Sequence, residues 1–594
     1  MSMVQFLTMN EFLRRHRLGL LFALLVGVVS VAPRLFFIVS LGDEYRGVPI
    51  FQTPNEPAYL AIMQEIRDGH PLAAAFSFFE YKDTKPLLPP TLAFFYAAAA
   101  VILHLPLIYI LLASQFFLPA FLSFLAYLLL LALQGGSTDG RKKFYAIAGG
   151  VAITLGMDLI SYQLFREIVQ GAVRIDNFLI WTRPVNPIGG ALLLFCFLWS
   201  LAKLISLHRK RYLWVSSVAF ALMIGSYVFS WTLALAVLGS LGLFALIRRE
   251  YSQFRSLVAV GTLGTLLASP YWYLLWSASR ASEYAEASGR IGLTATHAPV
   301  FNKFLLAVAF VFAAAWWWRR RYPRGEEAAT DPFPLWERLS LALIVSGVIA
   351  YNQQVVTGMD IGFHHYVFYT IPFGYLVGIL LLSQVLAPRL PRVALCLAFG
   401  LILASFLLGI SVQAAVYKKW NPYYRDFQEN AAFLDFLNTK ARSPCVVLQN
   451  SRELLWQNLI PAFTHCDLYI SGEIEAFIPR ERLLHNYLAL LRLRGITSAE
   501  LPKYLQDHLR EAHGLLRSEV EMRNDTQFIE LSAKLPEYYR LFLQKDFRTE
   551  LAKYRLDYLL AITPIPPTVL RELGNPPMLL TVGERALYDL RESR

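Results

Sequence analysis

Apolar stretches of about 20 residues recur along this chain from Leu18 to Tyr417, and no other feature confines the fold so tightly. A helix needs about 20 residues to cross roughly 30 Å of hydrocarbon, and in lipid only helices and closed barrels satisfy every backbone N–H and C=O. The runs are continuous rather than alternating, so they predict helices. Composition agrees: 56% of the 594 residues are hydrophobic and 16% charged, against about 45–50% and 25% in soluble domains. The first run, Leu18 to Ser40, contains Arg34, lacks a small-residue cleavage site and is followed closely by a second apolar block. It reads as an anchor rather than a signal peptide.

A net charge of +12 raises the question of nucleic acid, but the basic residues gather in short loops between apolar runs: Arg14/Arg15/Arg17, Arg141 to Lys143, His208 to Arg211, Arg248/Arg249, Arg319 to Arg324 and Arg389/Arg392. By the positive-inside rule these loops are cytoplasmic, and they encode topology in a plasma (inner) membrane, with no nucleic-acid partner. Pairs of runs lie between them: Phe144 to Leu164 with Ile188 to Ser206, Leu213 to Ser230 with Thr232 to Ile247, Ser256 to Trp276 with Val300 to Trp318, and Leu339 to Val356 with Val367 to Leu386. The last run, Val393 to Val416, has no return partner. Residues 1–417 are therefore expected to form a multi-pass domain with a cytoplasmic N-terminus, and 418–594 an extracytoplasmic domain. The first outer loop, 41–86, carries juxtamembrane helices. Leu87 to Gln134 must cross an odd number of times, so Leu107 to Leu133 is taken as a span and Pro89 to Leu103 as a re-entrant or interfacial helix. That predicts eleven transmembrane helices, with thirteen as the upper figure.

The C-terminal segment alternates helix and strand signals and predicts a small mixed α/β module. A helix is expected near Asn430 to Leu437, strands at Cys445 to Leu448, Leu468 to Ile470, Tyr558 to Ile562 and Met578 to Val582, and mostly helix from Glu481 to Leu551. Cys445 and Cys466 each border a predicted strand, and in an oxidising compartment they are disulfide candidates. The alternative is two unpaired core residues, because spacing alone does not bring their Cα atoms within about 7 Å.

Ionisable groups are costly near lipid, so their gathering in the outer loops is informative. The first loop carries Asp43, Glu44 and Glu56, with Tyr59 after them. The second has Arg174 and Arg183, the third Arg280 and Arg290, and the fourth Gln353, Gln354, Asp360, His364 and His365. Carboxylates beside arginines and histidines suit a site that deprotonates a hydroxyl next to a bound anion, since a carboxylate serves as general base and the arginine fork matches phosphate oxygens. Asp43, Glu44 and Glu56 are the candidate catalytic acids. Arg174, Arg183, Arg280, Arg290, His364 and His365 are candidates for a phosphate, and Tyr59, Gln353, Gln354 and Asp360 for substrate. For any one of them the simpler reading is a polar residue in a wet loop. Adjacent His364 and His365 point apart and have no third ligand at a fixed spacing, which disfavours a metal. The residues establish no cofactor and leave a divalent metal open.

The first 145 residues resemble the GT-C glycosyltransferases, membrane enzymes that take a sugar from a polyprenyl-phosphate carrier, such as the protein O-mannosyltransferases and lipid A aminoarabinose transferases. The matching features, in order, are Asp43-Glu44 after the first span, Glu56 followed by Tyr59, an amphipathic outer helix ending in Gly69, and Lys85-Pro86-Leu87 with Pro89-Pro90. Asp43-Glu44 and Tyr59 lie further apart than is usual in that family, so either Asp43-Glu44 or Glu56 is the equivalent acid. The resemblance implies inverting sugar transfer from a polyprenyl-phosphate-linked donor to a glycan, lipid or protein hydroxyl at the outer face, with membrane lipid as the medium. The alternatives are a transporter or flippase of a lipid-linked saccharide, and a polymerase or ligase of surface polysaccharide.

Overall fold

The computed structural model describes residues 3–53, 55–86, 90–136, 139–160, 166, 178–290, 293–322, 333–450, 454–471, 477–516 and 526–591. Six described helices are long and apolar enough to cross a membrane: Asn10–Glu44, Leu107–Leu133, Ile188–Leu207, Val228–Ile247, Phe363–Leu386 and Pro391–Thr439. A seventh is obtained if Tyr251–Leu267 and Ser269–Ala278, bent by 56° at their junction, count as one span. The remaining predicted runs fall on the shorter helices Gly140–Leu155, Lys210–Ile224, Lys303–Arg321 and Leu335–Tyr351, of 15 to 19 residues. At 1.5 Å per residue these are about 23–29 Å long, slightly under the hydrocarbon thickness. Thr91–Leu103 is an apolar helix of 13 residues, about 20 Å and too short to span. It ends at His104, whose φ of 53° is left-handed.

The chain divides into two compact units. One comprises Met1–Ser40, Leu111–Pro270 and Ala295–Asn421, the other Leu41–Ile110, Tyr271–Thr294 and Pro422–Arg594. In the first, Gly149 and Gly150 let two helices approach closely. A Cβ at Gly149 would lie 2.2 Å from Leu130 Cδ1, and one at Gly150 2.5 Å from the Ser123 carbonyl oxygen. Small residues serve this purpose where helices pack in lipid, because dispersion replaces the hydrophobic drive.

The second unit is built on a five-stranded sheet in the order Cys466–Leu468, Cys445–Gln449, Tyr558–Ala561, Arg585–Asp589, Met578–Val582. The first three strands are parallel, and Arg585–Asp589 runs antiparallel to both its neighbours, Tyr558–Ala561 and Met578–Val582. Val446, Leu448 and Leu559 pack with Tyr487 and Leu491 of the helix Arg480–Leu493 in the core. Cys445 and Cys466 stand opposite each other in register, form a disulfide and have Cα atoms 4.5 Å apart. The strand expected at Leu468 to Ile470 lies two residues earlier. The Arg585–Asp589 strand was not anticipated: its charged ends mask it in the sequence, while Gly583 at φ 58° makes the turn into it.

Candidate active site

In the second unit the acids of the first loop fall into distinct environments. The chain leaves the first helix through Gly42, at φ 52°, into a single turn, Gly42–Glu44, on which Asp43 and Glu44 are exposed. Glu44 lies 3.6 Å from Arg425 with both side chains well solvated, an ion pair worth little. Asp43 makes no hydrogen bond or ion pair among the described residues. Gln428 fixes the stretch that follows, accepting from the Arg46 N–H at 2.8 Å and donating to the Val48 carbonyl at 2.9 Å.

Glu56 is fully buried and opens the helix Asn55–Arg67, with its Oε1 accepting from the N–H groups of Gln52 and Thr53 at 2.9 and 3.1 Å. Thr53-x-x-Glu56 is thus one half of a capping box, in which the acid satisfies backbone donors that the helix start leaves open. Tyr59 follows one turn later and is half-buried.

Further along the same loop a charged cluster is buried. Lys82 Nζ is 2.9 Å from both Glu65 Oε2 and Asp467 Oδ1, and His70 Nε2 stands 3.9 Å from Glu65 Oε1. One ammonium cannot neutralise two carboxylates. Burial pushes the Asp467 carboxyl up to about 7 against the pull of Lys82, and burial likewise raises Glu65. Burial alone would lower Lys82, but Asp467 and Glu65 outweigh it and hold the ammonium above its ordinary range. These directions conflict if every charge is to be formed at once. They agree if Lys82 stays protonated and the carboxyl pair holds one further proton, Asp467 being its stated site.

The pH dependence follows from the sign of the acid's shift. Below about pH 4 Asp467 is protonated both folded and unfolded. Between about 4 and 7 only the folded chain keeps the proton, so this group's contribution to stability declines as pH rises through that window. Asp467→Asn, which cannot ionise, should gain on the wild type by about 1 kcal/mol per pH unit from pH 5 to 7. Thermal unfolding of both proteins across that range tests it; a difference that does not vary with pH would remove the proton from Asp467.

Cations meet the first loop in the same unit. Lys85 Nζ donates to the Ser277 carbonyl at 3.3 Å, and three residues on the Arg280 guanidinium lies 5.3 Å over the Trp276 ring. Tyr273 and Trp276 of the helix Ser269–Ala278 are exposed at 65% and 56%, as expected of an interfacial aromatic belt. Arg290 closes the helix Tyr284–Arg290. Lys85 was not singled out as a candidate from sequence, where it stood only as part of a Lys-Pro-Leu match.

In the first unit, Trp181 Nε1 donates to the Ile153 carbonyl at 2.8 Å and holds the turn Ile180–Thr182 that presents half-buried Arg183. His365 Nδ1 lies 3.4 Å from the Tyr227 hydroxyl, its ring stacks on Phe229, and the His364 ring is 4.3 Å away. Asp360 Oδ1 accepts from the N–H groups of Gly362 and Phe363, Gln353 Nε2 donates to the Met359 carbonyl, and Gln354 Nε2 to that of Ala298. Asp360 and Gln353 brace their own loop, and Gln354 ties it to the loop of Ala298. Arg174 lies outside the described residues. The one group of three metal-ligating side chains among the described residues is Cys445, His465 and Cys466. Its two sulfurs are spent in the disulfide and offer no thiolate, so it does not fit a metal.

No protein-family model matches this chain, and neither does any curated protein sequence. Among solved structures, ArnT from Cupriavidus metallidurans bound to undecaprenyl phosphate is 11% identical with a TM-score of 0.45, over 96% of this chain and 97% of that one. Its apo state gives 14% and 0.44, over 97% and 98%. The archaeal oligosaccharyltransferase AglB from Archaeoglobus fulgidus, in complex with an inhibitory peptide and a dolichol-phosphate, is 12% identical with a TM-score of 0.42, over 91% of this chain and 69% of that one. At such identities and TM-scores, function has to be argued from this chain's own residues.

Proposed function

We propose that the chain is a membrane glycosyltransferase that moves a sugar from a polyprenyl-phosphate donor to an acceptor hydroxyl, with inversion, at the outer membrane face, and that Asp43 is the general base. In this reading the N-terminus is cytoplasmic and residues 418–594 form an extracytoplasmic domain. One observation carries it: the segments holding the exposed acids Asp43 and Glu44, the cations Lys85 and Arg280 and the exposed aromatics Tyr273 and Trp276 belong to one compact unit. A base, phosphate donors and a lipid-facing edge are what this transfer requires.

Asp43 takes the proton of the acceptor hydroxyl while the oxygen attacks the anomeric carbon from the face opposite the phosphate. The sugar–phosphate C–O bond breaks, and its electron pair leaves on the phosphate. Lys85 and Arg280 face the charge that grows there, with Arg290 of the same unit as a further candidate donor. Preorganised donors contribute most where charge develops. Purified protein in lipid nanodiscs, offered a panel of polyprenyl-phosphate sugars, should release polyprenyl phosphate. Lys85→Ala and Arg280→Gln should each lower kcat/KM about 10²-fold. If no donor is consumed while proteoliposomes translocate a lipid-linked saccharide, the chain is a flippase instead.

A further inference from the structure

A cavity of about 670 Å³ in the first unit lies at the basic-loop ends of the helices Ile188–Leu207, Tyr251–Leu267 and Leu335–Tyr351. His208, Arg249, Glu250, Ser252, Gln253 and Arg338 line it. The helix Tyr251–Leu267 begins in its wall, and Glu250, the residue before it, provides no side-chain cap. The first-turn N–H groups are therefore open at the positive end of the helix dipole, an arrangement that attracts anions. Glu250 does not oppose an anion, because its carboxylate is taken up by Arg248 Nε at 2.8 Å and Arg338 Nη1 at 2.9 Å. Arg249 is exposed and has no ion-pair partner among the described residues.

A second, independent observation is Gln253. Its side chain is 8% exposed, it lines the cavity, and its Nε2 has no hydrogen-bond partner among the described residues. Buried amide donors are rarely left open, since their desolvation is then uncompensated. An oxygen-rich ligand in the cavity would satisfy this donor, the first-turn N–H groups and Arg249 together.

We infer that this cavity binds a phosphate group, the chemistry that an anionic phospholipid headgroup shares with free phosphate. Ile205, Leu335 and Tyr251 give it an apolar wall beside the charged floor, which suits a lipid, and basic pockets between membrane helices hold such headgroups elsewhere. The site is distinct from the transfer site and does not depend on it.

The test uses the full chain in nanodiscs of phosphatidylcholine alone or mixed with phosphatidylglycerol, read by native mass spectrometry and melting temperature. Wild type should retain a phosphatidylglycerol that Arg249→Gln and Gln253→Ala hold about tenfold less well, the loss of one hydrogen bond to a charged group. Arg392→Gln, in another basic loop, should behave as wild type and so excludes a general charge effect. Equal melting temperatures in phosphatidylcholine alone show that the variants fold, and Arg249, being exposed, is the safer of the two. Inorganic phosphate is the second arm. If it leaves the retained lipid in place, the occupant is the lipid; if it displaces the lipid and raises the melting temperature of wild type only, the phosphate comes from solution. Equal retention of lipid and equal response to phosphate in wild type, Arg249→Gln and Gln253→Ala would overturn the site.

Discussion

Asp43→Asn is expected to lower the turnover of a polyprenyl-phosphate sugar by about 10³-fold while leaving the melting temperature unchanged. The amide keeps the shape of the carboxylate and loses its basicity, and a positioned base contributes about 10²–10⁴. Its neighbours should respond differently, because the structure gives them different work. Glu44→Gln removes only a solvated contact with Arg425 at 3.6 Å, so its effect should be within a few-fold. Glu56→Gln disturbs the two backbone N–H groups held by its Oε1, which should cost about 1 kcal/mol of stability. Initial rates at saturating donor, measured beside thermal unfolding, separate the three. Should Asp43→Asn keep more than a tenth of wild-type turnover, the base lies elsewhere and the mechanism fails with it.

The helical character of the apolar runs was legible in the sequence because lipid leaves the backbone no alternative: six or seven of them are described helices long enough to span, and the piece taken as re-entrant or interfacial falls on Thr91–Leu103, which is too short to cross. The C-terminal strands Cys445–Gln449 and Met578–Val582 were legible too, since β-branched and aliphatic runs bounded by turn residues have few other fates. What the sequence hid was the use made of polar side chains. Gln353, Gln354 and Asp360 look like substrate ligands in a polar loop, and the structure spends them on the Met359 and Ala298 carbonyls and the N–H groups of Gly362 and Phe363. Glu56 looks like a catalytic acid, yet it caps a helix. Nothing in the sequence joined Lys82 and Glu65 to Asp467, because their meeting depends on a contact across hundreds of residues that no local pattern encodes.

That meeting supports the second large effect. Lys82→Met should destabilise the second unit by about 3–5 kcal/mol, because it leaves the carboxylates of Glu65 and Asp467 buried and without the ammonium that bridges them. Among the described residues His70, 3.9 Å from Glu65, then remains as the cation when protonated. The damage should be local at first: amide hydrogen exchange would quicken in the Cys466–Leu468 strand, whose Leu468 N–H donates to the Ser77 carbonyl at 2.7 Å, and in the loop residues that face it. Acid should reduce the defect, since protonation at pH 5 removes the unpaired charges. Lys82→Met combined with Glu65→Gln and Asp467→Asn should recover most of the stability at pH 8, because no uncompensated charge is then buried. A single variant as stable as wild type at pH 8, or a triple variant no better than the single, would mean that the cluster is hydrated and that the lysine does not fasten the first loop to the sheet.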